Sequence, residues 1–210
     1  MLKNKVYIFD NLLPSTYQDY VEKVCYGHLP FYIVPKPSLG PREQTEYFNL
    51  KDKIYDKSQM NHALISQSQS YYSLHSTLSS PLFTYLQSYF NFKFNYSILR
   101  SKVNLKHQQP IKFQKLFNPP HVDFEPPLPN TWILLYYVNN SDGDTIIFNE
   151  TYNSLNTLQN FSIHKSITPQ KGRIVFFPAN MYHSANFPTI NNSRIVINNV
   201  MQVEPLKEIS

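Results

Sequence analysis

Glycine is scarce in this chain: four occur in 210 residues, at Gly27, Gly40, Gly143 and Gly172. A phosphate-cradling loop needs two or three glycines within a few residues, since only a residue without Cβ lets the backbone close on the phosphate. No such word can be written here, so nucleotide-cofactor folds are set aside. Cysteine is scarcer still. The single Cys25 excludes an internal disulfide and any multi-cysteine zinc or iron–sulfur site. It reads as a small core residue on a helical apolar stripe, with no neighbour to activate a thiolate. Long apolar runs are also missing. Nothing approaches the ~18–20 residues of a membrane span, and Met1-Leu-Lys-Asn-Lys-Val lacks the apolar core of a signal peptide. The expectation is a cytoplasmic protein without a membrane association.

Aromatic residues, by contrast, are abundant at 15%, and hydrophobic residues reach 41%, which is enough for a packed core and too much for a disordered chain. With no internal repeat and no flexible linker, one domain is expected over 1–210. A net charge of +5 permits nucleic-acid contact without implying it. Val6–Phe9 reads as a strand leading into a helix, with Ser15 and Gln18 spaced as a capping box and Tyr17, Tyr20, Val21, Val24 and Cys25 recurring at helical intervals. A second helix starts at Ser80-Pro81 and carries Leu82, Tyr85, Leu86 and Tyr89 on one face. Between them, residues 36–79 are polar and without clear periodicity, as in a lid or binding loop.

From Tyr96 the period drops to two. Strands are expected at 96–105, 112–117, 132–139, 145–149, 161–168, 173–177, 182–185 and 193–203, separated by turn words such as Asp142-Gly143 and Lys171-Gly172. Eight short strands at hairpin spacing predict a mostly β protein, an antiparallel double-sheet jelly roll over 96–203 packed against N-terminal helices. Residues 1–95 would supply helical support and the lid. The basic run Arg100, Lys102, Lys106, Lys112 and Lys115 would then project mostly to solvent, on the polar side of alternating strands.

The chemistry concentrates in His121-Val122-Asp123, His183 sixty-two residues later, and Arg194 eleven beyond that. In an extended segment residues i and i+2 point the same way, so His121 and Asp123 can reach one ion while Val122 turns aside. Two imidazoles and a carboxylate can occupy one face of an octahedral ferrous ion and leave three adjacent positions vacant. A guanidinium pairs bidentately with a carboxylate. Asp142 and Asp144 resemble part of a calcium loop without its remaining ligands, and a hairpin turn accounts for them.

The words around these residues are Asn118-Pro-Pro-His121-Val-Asp123, Leu134-Leu-Tyr-Tyr-Val-Asn139, Asp142-Gly-Asp-Thr145, Pro169-Gln-Lys-Gly172, Phe176-Phe177, His183 and Arg194. In that order the chain resembles the 2-oxoglutarate and Fe(II)-dependent oxygenases, specifically their prolyl-4-hydroxylase-like branch, over roughly half its length. The resemblance implies a double-stranded β-helix of cupin-like form, with His121, Asp123 and His183 as iron ligands at the barrel mouth and Arg194 holding the distal carboxylate of 2-oxoglutarate. It also points to Tyr136 as the hydroxyl near that carboxylate, with Tyr137 as a packing residue; a shift of one position exchanges them. Gln114, on the strand expected at 112–117, would share the pocket. The implied cofactors are Fe(II), 2-oxoglutarate and O2, with ascorbate admitted as an auxiliary reductant.

The implied activity is a dioxygenase that turns 2-oxoglutarate into succinate and CO2 while hydroxylating a C–H bond, since halogenating relatives lack the carboxylate that Asp123 supplies. The partner would be a peptide or small-molecule substrate: peptidyl proline as in the branch resembled, or a free amino acid or other small metabolite. No second arginine follows Arg194, which argues against the nucleic-acid demethylases. A non-catalytic metal-binding jelly roll and a zinc hydrolase with the same ligands stay open. Pro119-Pro120 stands where many relatives are glycine-rich, and arginine replaces the lysine of collagen-modifying members.

Overall fold

The computed structural model describes residues 5–35, 52–55, 58–91, 94–124, 126–152 and 160–205. Among these, eleven strands and two α-helices follow one another: β1 (Tyr7–Phe9), α1 (Ser15–Gly27), β2 (Tyr32–Val34), β3 (Gln59–Ser66), β4 (Tyr71–Tyr72), α2 (Ser80–Tyr89), β5 (Phe94–His107), β6 (Thr131–Tyr137), β7 (Thr145–Thr151), β8 (Ile163–Ile167), β9 (Ile174–Pro178), β10 (Met181–Ala185) and β11 (Ser193–Pro205). A large antiparallel sheet has the order β1-β9-β6-β11-β5-β3-β2, with β4 added to β3, and a small sheet has the order β10-β7-β8. The segment carrying His121 joins the small sheet through a bridge to His183. The jelly roll expected from the strand spacing is thus present, with both helices on the outer face of its large sheet.

Three apolar layers result. Leu134, Tyr136, Phe176, Ile195 and Ile197 face the helices and meet Val21, Val24, Leu82, Phe83 and Leu86. Ile133, Leu135, Tyr137, Val175, Phe177, Val196 and Val200 face the small sheet and pack on Ile147 and Ile167. Phe117, Val122, Ile146, Phe148, Phe161 and Tyr182 cover the small sheet's far side. The central strand β6 is therefore buried on both faces, along its whole length. Such a strand reads as a continuous apolar run, and alternation cannot reveal which residue points which way.

Several expectations need correction. Residues 59–66 are not a lid: β3 is an internal strand of the large sheet, paired with β5 through Met60↔Leu105 to Ser66↔Arg100. Its alternation is masked because neither face is purely solvent. Residues 36–51 of the proposed lid lie outside the described residues. The strand expected at 112–117 is instead a single 3₁₀ turn, Ile111–Phe113, followed by further turn-type bonds. Pro110 presets its first φ, and the amides of Phe113, Gln114 and Leu116 bond back to Pro110, Ile111 and Phe113 at 2.9, 3.0 and 2.9 Å. The capping box is also absent: Ser15 is already helical behind Pro14, and the buried Gln18 amide donates to the Leu13 carbonyl at 2.8 Å. Tyr20, Tyr85 and Tyr89, placed on buried stripes, are exposed, and Phe83 takes the inner position on α2. The turn words hold. Gly172 has φ +83°, and a Cβ there would lie 2.2 Å from Gln18 Oε1, so the Lys171-Gly172 turn can seat α1 only as glycine.

Candidate metal and co-substrate site

Two antiparallel backbone bonds, His121 N to His183 O and the reverse, both 3.0 Å, place the imidazoles side by side with ring centres 4.6 Å apart. The Asn118-Pro-Pro word makes this junction rigid. Asn118 N donates to Ala185 O at 3.1 Å, and the Ser184 hydroxyl donates to Asn118 O. Each imidazole then uses Nδ1 on a backbone carbonyl two residues before it, His121 on Pro119 at 3.0 Å and His183 on Met181 at 3.2 Å. A Nδ1–H held this way leaves the Nε2 lone pair for a metal. Asp123 completes the group: one ligand atom from each of the three residues lies within 4.8 Å of the others.

Electrostatics suit the same purpose. Burial, reinforced by the neighbouring His183, pushes the His121 imidazolium down to about 3, so the ring is neutral at pH 7. Burial lowers His183 as well. For Asp123 burial alone would raise the pKa, but Arg100, the imidazoles and Lys102 outweigh it and hold the carboxyl well below the ordinary range. Two neutral imidazoles and an ionised carboxylate are the protonation states that metal ligation requires. These residues fit a divalent transition metal without any change of state.

Asp123 is fixed by two residues that the sequence reading left aside. Arg100 Nη2 donates to Oδ1 at 2.5 Å, and Asn198 Nδ2 donates to Oδ2 at 3.1 Å. The Arg100 guanidinium also lies 5.0 Å from the Phe124 ring centre. The expected solvent-facing basic run is hence corrected for β5. Arg100, Lys102 and Lys106 sit opposite Val200, Asn198 and Arg194 of β11, on the face that holds the metal group. Alternation in Arg100-Ser-Lys-Val-Asn-Leu-Lys106 shows a polar and an apolar face, but here the polar face lines the barrel. Lys112 and Lys115 are exposed, as expected.

Arg194 is buried inside the barrel, on the same side of β11 as Asn198 and about 13 Å from it along the strand. The motif words flanking it turn out to be its cradle. Asn139 brackets its backbone, donating to Ser193 O at 3.0 Å and accepting from Ile195 N at 2.8 Å. Asp142 staples the approach to β11 by accepting from the amides of Thr189, Ile190 and Asn191 at 2.8–3.0 Å. Gly143 accepts from Arg194 Nε at 2.7 Å, and a Cβ there would stand 3.0 Å from Arg194 Cδ and from Pro188 N. Thr145 Oγ1 accepts from Arg194 Nη2 at 2.7 Å and from the Tyr137 hydroxyl at 2.6 Å. Asp142 and Asp144 therefore serve a turn, not a calcium site.

Of the six residues named in advance, the structure brings His121, Asp123 and His183 together and places Arg194 inside the barrel with them. Tyr136 is not in the pocket. It faces the helices, with its hydroxyl buried and unpartnered, while Tyr137 lies 5.6 Å under the Arg194 guanidinium. The tyrosine beside Arg194 is therefore Tyr137. Gln114 is exposed on the 3₁₀ segment, outside any pocket-facing strand. Thr145, Arg100, Asn198 and Tyr137 are the polar residues that sequence reasoning missed or misassigned.

No protein-family model and no curated protein matches the sequence. Solved structures do match the fold. The chain is similar to the non-heme alpha-ketoglutarate-dependent epimerase SnoN from nogalamycin biosynthesis (11% identity, TM-score 0.61, covering 95% of this chain and 78% of that one). It is similar at the same identity and TM-score to an oxidoreductase of the 2OG-Fe(II) oxygenase family from Burkholderia pseudomallei, over 94% and 84% of the two chains. A Trichoplax adhaerens prolyl hydroxylase, solved with a peptide fragment of the hypoxia-inducible factor, matches at 15% identity and TM-score 0.55 over 96% and 84%. The fold is that of the 2-oxoglutarate and Fe(II)-dependent oxygenases, prolyl hydroxylases included.

Proposed function

We propose that this chain is an iron(II)- and 2-oxoglutarate-dependent dioxygenase that hydroxylates a C–H bond. The observation that carries the reading is a barrel interior shared by a His121–Asp123–His183 cluster in ligating protonation states and a buried, braced arginine. His121, Asp123 and His183 would hold the iron. Arg194 and Thr145, with Tyr137 behind them, would take the distal carboxylate of 2-oxoglutarate as a charge-assisted pair. When bound, iron with 2-oxoglutarate and O2 supplies the oxidising chemistry that yields succinate, CO2 and a hydroxylated product.

The protein's share is geometric and electrostatic. The carbonyls of Pro119 and Met181 fix the imidazole tautomers, and Arg100 with Asn198 fixes the carboxylate. The apolar walls made by Ile133, Leu135, Phe177, Val196 and Val200 keep water from the space between the sheets. The Phe177 ring packs edge-on against His183 at 5.3 Å, which stiffens the ligand further.

Anaerobic addition of Fe(II) and 2-oxoglutarate tests this directly. A visible charge-transfer band should appear, should vanish in H183A, and should require at least tenfold more 2-oxoglutarate in R194M, since removing one partner of a buried charge pair costs about 2–5 kcal/mol. Zinc as the only activating metal, or no band at all, overturns the reading. Among the described residues no helix is long and apolar enough to cross a membrane.

The substrate is the finer question. The prolyl hydroxylase fold neighbour was solved with a peptide, and succinate release stimulated by proline-rich peptides would support a peptidyl-proline substrate. The unpartnered polar side chains on the inner face of β5 and β11 favour the alternative of a free amino acid, for the reasons that follow.

A further inference from the structure

β5 crosses the barrel beside β11, and its inner face is polar at each alternate position: Arg100, Lys102, Asn104 and Lys106. Arg100 is used by Asp123, and Lys106 donates to Asn118 Oδ1 and, at 3.2 Å, to Ala185 O. Lys102 is different. It is half-buried, and among the described residues it has no ion-pair or hydrogen-bond partner. It stands opposite Asn198, the residue that orients Asp123, and its charge is felt at His121, Asp123 and His183 alike. Burial and the neighbouring Arg100 hold its ammonium down to about 8, against the opposing pull of Asp123.

The orphaned atoms next to it are two acceptors and a donor. Asn198 Oδ1, Asn104 Oδ1 and Arg100 Nε are all buried without a partner, on the same inner face. Buried polar atoms left unpaired cost about 1–3 kcal/mol each, so three in one place mark a site that is completed by a ligand. Charge agrees. Arg100 and Lys102 meet one carboxylate at the candidate metal group, Asp123. A divalent ion would add two positive charges and 2-oxoglutarate would remove two, so the surplus persists after the co-substrate binds.

We propose that Lys102, Asn104 and Asn198 form the primary-substrate subsite, and that it takes a small free amino acid: the carboxylate on Lys102 Nζ, and N–H or O–H donors on the two Oδ1 atoms. Arg194 lies four residues away along β11, in its own cradle of Gly143 and Thr145, where the proposed function assigns it to 2-oxoglutarate. Lys102 is thereby a specificity determinant for the proposed reaction and rests on the oxygenase reading above.

The test uses the full chain loaded with Mn(II) and 2-oxoglutarate under anaerobic conditions. Calorimetric titration with the common free L-amino acids should find at least one that binds, with its C-terminal amide bound at least tenfold more weakly. K102M should lose at least tenfold of that binding and K102R should keep most of it, both melting within a few degrees of the parent. Their affinity for 2-oxoglutarate should stay within twofold. Succinate release in air with Fe(II) should follow the same ranking. Binding of no free amino acid, equal binding of acid and amide, or full binding by K102M overturns the proposal. So does a K102M variant that loses 2-oxoglutarate in parallel, because the lysine would then serve the co-substrate. Failure of the oxygenase reading is separate: the parent would not bind 2-oxoglutarate even with metal present.

Discussion

Arg100 shows how much one side chain can be misjudged from its position in a basic run. Its neighbours in sequence suggest a solvated face, yet its guanidinium is bonded to the carboxylate of the metal group at 2.5 Å. Partners that orient a ligand commonly cost about 10–100-fold in metal affinity when removed. R100M, which keeps an apolar side chain of similar length beside Phe124 but removes the guanidinium, should weaken Fe(II) or Mn(II) binding by that order in a competition titration. Tighter binding in R100M would mean that repulsion between guanidinium and metal outweighs orientation. The ligands themselves were legible because no other local need puts two histidines and an aspartate at this spacing beside these motif words. Arg100 was not, since its partner is twenty-three residues away and on another segment.

At the level of the strand, β6 decides which tyrosine does what. Each residue from Thr131 to Tyr137 is buried, so the apolar run carries no mark of parity, and a motif match good to one position is not enough. The two hydroxyls are chemically opposite: that of Tyr137 bonds to Thr145, and that of Tyr136 has no partner. Y137F should raise the 2-oxoglutarate concentration needed for half-saturation about tenfold, the equivalent of one hydrogen bond to a charged network. Y136F should leave it unchanged and should not lower the melting temperature, because it removes an unsatisfied buried hydroxyl. The reverse pattern in a paired titration would place Tyr136 in the pocket. β5 gives the complementary lesson, where alternation is clear but the polar side faces inward.

For the molecule as a whole, the decisive joint is Asp142, a turn residue that gathers the chain before β11 through three backbone amides and the Thr189 hydroxyl. Burial alone would raise its pKa, but these bonds prevail and hold it below the ordinary carboxylate value. A depressed folded pKa gives stability that is complete above the unfolded value, near 4, and is lost as pH falls through the folded one. D142N should therefore destabilise the protein at pH 7 by roughly 1–2 kcal/mol and show a shallower loss of stability on acidification than the parent. Denaturant titrations at pH 7 and pH 3 check both; equal midpoints for parent and variant at pH 7 would refute the staple.

What the linear chain determined by itself is local or motif-borne. The double-sheet architecture followed from period-two strands and turn words, the two helices from their apolar recurrence, and the metal trio with Arg194 from spacing and order. What only the tertiary structure decided is everything that depends on which side of a strand is inside. It put Gln114 on the exposed surface, set Tyr137 rather than Tyr136 beside Arg194, turned part of the supposed lid into a sheet strand, and brought Arg100, Lys102 and Asn198 to the face that holds the His121–Asp123–His183 group. The physical reason is that side-chain alternation is a property of the backbone, whereas the identity of the buried face is a property of whatever packs against it.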